Sequence, residues 1–315
     1  MTTKLINRTG SEALIETQVA NEIIRGAVAE SVVLSQFTRL PNMNSKQYRM
    51  PVLNLLPEAY FVDGDTGLKQ TTNADWKDKT IVAEEIAVIV PIPEAVLDDA
   101  GYDIFGEITP RVVEAFGRVI DAAILFGTNK PASWRDGLVQ SAIAAGNKVT
   151  ETADLFIDVF GEDGVIAKVE MDGFIPDGFV ASPKMRGKLR GLRDDNKQPL
   201  FTQNLRESSS PYALDGSPIH FAMNGAFDTT VAELIAGDFK EAVYAIRQDM
   251  TVKFLDQAVI SDADGKIIYN LAQQDMVALR FVMRLGWEVK NGINAISGDY
   301  ATQFPFAVLT PKSGE

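Results

Sequence analysis

The chain has 315 residues, 46% hydrophobic and 23% charged, enough for more than one packed unit. It contains no cysteine, which excludes disulfides, thiolate metal sites and a cysteine nucleophile; its 43 acidic and 30 basic residues leave a net charge of −13, with the cations scattered, which disfavours tight phosphate-driven binding to nucleic acid. No apolar run approaches the ~18 residues of a membrane span, and "MTTKLINRTG" has neither a signal-peptide core nor an Arg-rich transit pattern, so a soluble protein of a reducing cytoplasm is expected.

Residues 11–35 place Ile15, Val19, Ile23 and Val28 at near-helical intervals behind Ser11, which predicts an amphipathic N-terminal helix. A polar break, "RLPNMNSK", precedes a short strand in which Tyr48, Met50 and Val52 alternate with other residues. Residues 55–79, "LLPEAYFVDGDTGLKQTTNADWKDK", fit neither period. Structureless stretches longer than about 12–15 residues are uncommon inside compact domains. The aromatic Tyr60, Phe61 and Trp76 mark this one as a projecting loop that anchors on another protein. After it, Val82, Ile86, Val88, Val90 and Ile92 fall on one face of a strand interrupted only by Glu84, and this strand is expected to pair with the 48–52 strand across the excursion as one long hairpin.

Residues 103–127 predict a long helix. Ile104, Ile108, Ala115, Val119 and Phe126 form an apolar stripe, with Glu107, Arg111, Glu114, Arg118 and Asp121 opposite, including Glu107–Arg111 and Glu114–Arg118 in the favourable i,i+4 order. Pro110 is expected to bend this helix or to move its start to Thr109. Beyond the boundary "GTNKPASWRDG", residues 154–170 read as a helix, "FVAS" as a strand, and "SPKMRGKLRGL" as a helix capped by Ser182 with Pro183 in its first position. "LDGSPIHFAMN" reads as a turn into a strand, and residues 232–255 as further short strands. In "MVALRFVMRLGWEV", Val277, Leu279, Phe281, Met283, Leu285, Trp287 and Val289 alternate without a break, the strongest strand signal in the chain.

Signals for chemistry are weak. His220 is the lone histidine, on a predicted strand, and no nucleophile elbow, Walker loop, dinucleotide fingerprint or HExxH motif occurs. "SDADGKI" around Asp262 and Asp264 reads as a hairpin turn rather than a calcium loop, since the spacing and terminal Glu of an EF-hand are missing. Glu84–Glu85, Asp98–Asp99 and Asp194–Asp195 read as solvated turns or helix starts rather than acid–base pairs. No catalytic, cofactor-binding or metal-binding residue is assigned.

Four passages in order carry a resemblance. A strand leading into "PIPEAVLDDAGYDIFGEITPRVVEAFGRVIDAAILFGTN", then "DGFVASPKMRGKLRGLRDDNKQPLF", "LDGSPIHFAMN" and "IAGDFKEAVYAIRQDMTV", resembles the tailed-bacteriophage major capsid proteins of the Hong Kong 97 fold. The resemblance implies an α+β, Hong Kong 97-type fold: an N-terminal arm (1–43), an extended β-hairpin loop (44–92), a peripheral domain with a long spine helix (93–129 and 250–289) and an axial domain (130–249 and 290–315). It implies a non-enzymatic major capsid protein that self-assembles through pentamers and hexamers, in the host bacterial cytoplasm, into the icosahedral head shell of the virion. The shell would enclose double-stranded DNA without sequence-specific grip and with no membrane or cofactor. A scaffolding protein, a portal and a decoration protein are the expected further partners; Met1 directly before the arm points to a separate scaffold, or none. Tyr60, Phe61, Lys69, Trp76, Glu107, Arg111, Glu114 and Arg118 are the expected inter-subunit contacts. Some members of that family weld a loop lysine to an asparagine with a glutamate as base. Here Lys69 is the best-placed lysine, but Asp275 and Val282 stand at the other two positions, so no weld is expected unless Asn270 or Asn291 substitutes. Two other readings remain open: an encapsulin-like nanocompartment shell, and a soluble α+β hydrolase using an acidic pair.

Overall fold

The computed structural model describes residues 30–62, 69, 71–99, 104–192, 213–247, 251–262, 264–296 and 302–312. The helix expected over 11–35 therefore lies outside the described residues up to position 29, and residues 32–36 form turns. In chain order, β1 (Thr38–Arg39), β2 (Gln47–Leu55), β3 (Asp75–Val82) and β4 (Glu84–Pro93) lead into helices α1 (Glu94–Asp99) and α2 (Ile104–Phe126). Next come α3 (Leu138–Ala145), β5 (Lys148–Thr150), α4 (Leu155–Phe160), α5 (Val165–Met171), β6 (Gly178–Ala181) and α6 (Pro183–Gly191). The remaining elements are strands β7 (Ala213–Leu214), β8 (Ser217–Phe221), β9 (Leu234–Gly237), β10 (Ala242–Ile246), β11 (Thr251–Leu255), β12 (Val259–Ser261), β13 (Ile267–Asn270), β14 (Met276–Val289) and β15 (Phe306–Thr310).

The long alternating run becomes β14, and the first sheet is built around it. Along one edge β14 pairs antiparallel with β4, from Met276↔Pro93 to Leu285↔Glu84. Along the other, β10 pairs with its last residues and β11 with its middle, so two short strands share one edge in tandem. Because side chains alternate across a strand, Phe281, Met283, Leu285, Trp287 and Val289 all enter one core, where they meet Ile120, Ile124 and Phe116 of α2.

The second sheet has the order β5-β15-β9-β6-β8-β7 and is covered on both faces. Phe179, Ala181, Leu234, Ala236, Ala307 and Leu309 face Val159, Val169, Met185 and Leu189 of α4, α5 and α6. Their neighbours Val180, Ile235, Phe306 and Val308 turn instead into the core shared with α2, α3 and the first sheet. Burial on both faces is why these strands read as unbroken apolar runs. Ser182 caps α6 by accepting from the Met185 backbone N–H, with Pro183 in the first turn, as expected. The stretch 154–170 forms two helices instead of one, because a Cβ at Gly161 or Gly164 would meet backbone oxygens at 2.5 Å (Ile157) and 2.8 Å (Val159), and the chain turns tightly there.

The first hairpin differs from expectation. The 47–55 strand pairs with residues 75–82, drawn from the end of the excursion, and not with β4, which belongs to the first sheet. The only break between β3 and β4 is Ala83. Asp75, Lys77, Asp78 and Lys79 gave no apolar alternation because most of β3 is solvated, so its hydrogen bonds form without a buried face. Helix α2 is continuous through Pro110. Its buried face is Val112, Val113, Phe116, Ile120, Ala123 and Ile124, rotated from the expected stripe, and Val119 is 46% exposed.

The hairpin root lies against the far face of β14 at Gly286, where a Cβ would meet the Val82 carbonyl oxygen at 2.5 Å and Ile81 Cγ2 at 2.7 Å. Backbone cannot yield cheaply there. Gly286→Val is expected to destabilise the fold by about 1–3 kcal/mol in urea denaturation and to expose residues 79–84 to limited proteolysis; unchanged stability and cleavage would contradict this close approach.

Candidate functional site

The feature that reaches beyond the core is the β2–β3 hairpin. Its root is buried: Ile81 and Ala83 join Met43, Val243 and Ala245 in a small cluster on the side of the first sheet away from α2, and the Ala83 N–H donates to the Lys46 carbonyl at 2.8 Å. Midway, Lys79 Nζ donates to the Val289 carbonyl at 2.8 Å and the Ile293 N–H to the Leu53 carbonyl at 3.3 Å. Beyond that the ribbon is bare. Leu55, Tyr60, Phe61, Val62 and Trp76 are all exposed, Phe61 completely. The loop has internal bracing: the Glu58 N–H donates to Thr72 Oγ1 at 3.0 Å and the Tyr60 hydroxyl to Glu58 Oε2 at 2.8 Å.

A polar joint ties the hairpin to the body. Arg135 Nη1 lies 2.9 Å from Glu288 Oε1, and its guanidinium sits over the rings of Trp287 (5.8 Å) and Phe304 (5.2 Å). Burial beside this pair lowers the Lys79 amine to about 8, with Glu288 opposing the shift and Arg135 adding to it.

The second element is α2. Of the charged row expected on its open face, Glu107, Arg111, Glu114 and Arg118 are exposed. The ion pair that forms is Arg111–Glu114 at 3.4 Å, not the Glu107–Arg111 and Glu114–Arg118 pairs expected, and being solvated it contributes little. Asp121 belongs elsewhere. It is buried and accepts from Ser31 Oγ (2.6 Å), the Val32 (3.0 Å) and Val33 (3.3 Å) N–H groups and Asn224 Nδ2 (2.6 Å). Burial raises its carboxyl above the usual range while these four donors pull it down. Glu30 and Ser31 pass over Gly117, whose Cβ would stand 3.2 Å from Glu30 backbone. Asp121 thus fixes the turn at residues 31–33 against α2. No local signal marked it, because its partners lie 88 to 103 positions away.

The other sequence candidates do not gather. Trp76 stands on β3 opposite Leu53, Lys69 is exposed on the loop, and both are remote in register from the root. Glu84 accepts from Ser133 Oγ at 2.7 Å, which with Lys46 keeps its carboxyl below the ordinary range, while Glu85 pairs with Arg284 at 2.9 Å; adjacent on a strand, they serve different partners. Asp194–Asp195 and the side chain of Asp98 lie outside the described residues. His220 is half-buried on β8, and burial lowers its pKa. Asp262 Oδ1 accepts from the Asp264 and Lys266 N–H groups, which makes "SDADGKI" the β12–β13 turn, as expected.

The family model described as the phage capsid family matches residues 12–297. A major capsid protein of Staphylococcus phage 80alpha is 30% identical over 270 residues, which is 83% of this chain and 78% of that protein. Klebsiella oxytoca phage phiKO2 has a major capsid protein 24% identical over 65% of this chain and 49% of its own. Among solved structures, one from Microbacterium phage Oxtober96 is 38% identical with a TM-score of 0.77, covering 90% of this chain and 91% of its own. A further structure, the capsid of an empty GTA particle, shares the fold at TM-score 0.65 and 19% identity, covering 90% of each chain.

Asp121→Ala leaves four donors without their acceptor inside the core, so a loss of about 2–4 kcal/mol is expected in denaturant unfolding, and Asp121→Asn should lose less. Equal stability of all three chains would refute the clamp. For Lys79 the folded value of about 8 lies below the unfolded 10.5, so folding disfavours the charged amine. Its contribution is therefore greatest above pH 10.5 and is lost as pH falls towards 8. Relative to Lys79→Met, the natural chain should gain about 1–2 kcal/mol between those limits, a figure reduced for the water that still reaches the amine. Parallel pH profiles for the two chains would contradict this.

Proposed function

Since the chain belongs to the phage capsid family and acts as a major capsid protein of the phage head shell, we propose that it assembles from pentamers and hexamers in which the β2–β3 loop of one copy bears on its neighbour. Self-assembly of capsomers into a shell places the chain in the virion. The observation that carries the finer reading is the hairpin itself, with Ile81 buried at its root and Phe61 wholly in water at its tip. A monomer gains nothing from an apolar tip held out on a ribbon; a neighbour that covers it does.

The working division is an arm (1–43), an extended loop (44–92, of which β4 enters the first sheet), a peripheral unit (93–129 and 250–289) and an axial unit (130–249 and 290–315), with β10 of the last range paired to β14 of the third. Tyr60, Phe61, Lys69 and Trp76 on the loop and Glu107, Arg111, Glu114 and Arg118 on α2 serve as the contact residues. The shell is non-enzymatic, assembles in the host cytoplasm with or without a separate scaffold, takes a portal and a decoration protein, and encloses double-stranded DNA. A net charge of −13 suits a wall that repels its contents.

Replacing residues 56–74 by a Gly-Ser turn should preserve cooperative unfolding, because loop length costs little entropy and β2–β3 pairing survives, yet abolish particles in electron microscopy; intact shells would refute the loop's role. No covalent weld forms in this proposal: Val282 is buried and Asp275 is exposed in a turn. Asn270 Nδ2 is engaged by Gln273, and Asn291 is buried against the Gln303 carbonyl. Particles boiled in detergent should therefore release one band at 34.4 kDa; a ladder of multiples would refute this.

A further inference from the structure

We propose that Asn224 is a site of slow self-modification, in which the Gly225 nitrogen displaces the Asn224 side-chain nitrogen to form a succinimide, Asp121 supplies the proton, and water opens the ring to aspartate or isoaspartate. The product loosens the turn at residues 31–33. This chemistry lies outside the shell reading and needs no second copy. Asn-Gly occurs twice in the chain, at 224–225 and 291–292. A glycine nitrogen attacks with no Cβ beside it to hinder the approach. Gly225 has open space where a Cβ would stand and is exposed, so water reaches the ring that forms. Its N–H makes no hydrogen bond among the described residues.

The Asn224 side chain is held at both ends. Oδ1 accepts from the Ala226 N–H at 3.1 Å and Nδ2 donates to Asp121 Oδ2 at 2.6 Å, so the two partners fix which atom is oxygen and which is nitrogen. Each partner has a use in the reaction. When the Gly225 nitrogen, having given its proton to water, bonds to Asn224 Cγ, the carbonyl electron pair moves onto Oδ1, where the Ala226 N–H stabilises it. As that pair returns, the Cγ–Nδ2 bond breaks and the nitrogen leaves as ammonia, taking a proton from the carboxyl group that touches it, Asp121. Burial holds that carboxyl above its ordinary range, which keeps a protonated fraction available, and water restores the proton. The sum is asparagine plus water giving aspartate or isoaspartate plus ammonia. The new acid then stands against Asp121, and two carboxyl groups in contact cannot both ionise. Ser31 Oγ and the Val32 and Val33 N–H groups lose the acceptor that fixes them on α2. Asn291 is the built-in comparison: its Nδ2 faces the Gln303 carbonyl instead of an acid, and its buried Oδ1 has no donor.

The full-length chain is incubated at neutral pH, folded and in urea, and conversion at both Asn-Gly sites is followed by peptide mass spectrometry with isoaspartate detection. Asn224 should convert about tenfold faster in the folded chain than in urea, while Asn291 converts more slowly when folded. Asp121→Asn keeps an acceptor but has no carboxyl proton to give, so it should slow Asn224 about tenfold. A clamp that merely held the side chain still would have the opposite effect on release. In Asn224→Asp, which imitates the product, amide exchange at Val32 and Val33 should quicken about tenfold. An Asn224 that converts no faster folded than in urea, or faster in Asp121→Asn, overturns the site; unchanged exchange at Val32 and Val33 overturns its effect on the turn.

Discussion

Everything else in the molecule depends on β14. A strand of 14 residues with neighbours on both edges is held along most of its length, and its side chains at Phe281, Met283, Leu285, Trp287 and Val289 enter the main core as a continuous row, with Leu279 packed against it. Each large side chain so buried contributes about 1.5–3 kcal/mol. The strand also distributes the rest of the chain. β4 on one edge carries the polypeptide into α2, β10 and β11 on the other bring it back from the second sheet, and Gly286 on the far face admits the hairpin root.

Around that strand, polar contacts decide direction more than stability. Asp121 binds a turn some ninety residues earlier in the chain and thereby fixes residues 31–33 against α2. Arg135, Glu288 and Lys79 sit where the hairpin leaves the body. A buried ion pair is weak evidence of stability by itself, but a guanidinium held over two aromatic rings and a lysine tied to a carbonyl restrict the angle at which the ribbon departs. A shell subunit needs this, because a small error in angle at the root becomes a large displacement at the loop tip.

The same logic explains why the exposed groups are where they are. Among the described residues, the hydrophobic surface of the loop is left uncovered and the charged face of α2 carries a single weak pair. Such groups add little to a monomer. In the assembly proposed above, their value would appear when copies meet, where aromatic anchors supply contact area and charges select register.

From the sequence alone the α2 helix, the β14 strand, the Ser182 cap, the β12–β13 turn and the order of motifs that signals the capsid fold were all legible, because each rests on a period or on a local hydrogen bond that neighbouring residues complete. The aromatic loop could also be recognised as an excursion. What needed the tertiary structure were the contacts between distant residues. The β3 strand is solvated along most of its length, so its alternation carries no apolar signal and only its partner β2 reveals it. Asp121 shares the spacing of a solvent-facing row, yet it is buried, because Ser31, Val32, Val33 and Asn224 converge on it from elsewhere. Val119 fits the apolar period of its helix and stands 46% exposed, because no element among the described residues packs over it. Periodicity reports the face a residue would occupy; burial is decided by what arrives to cover that face, and that is a property of the folded chain.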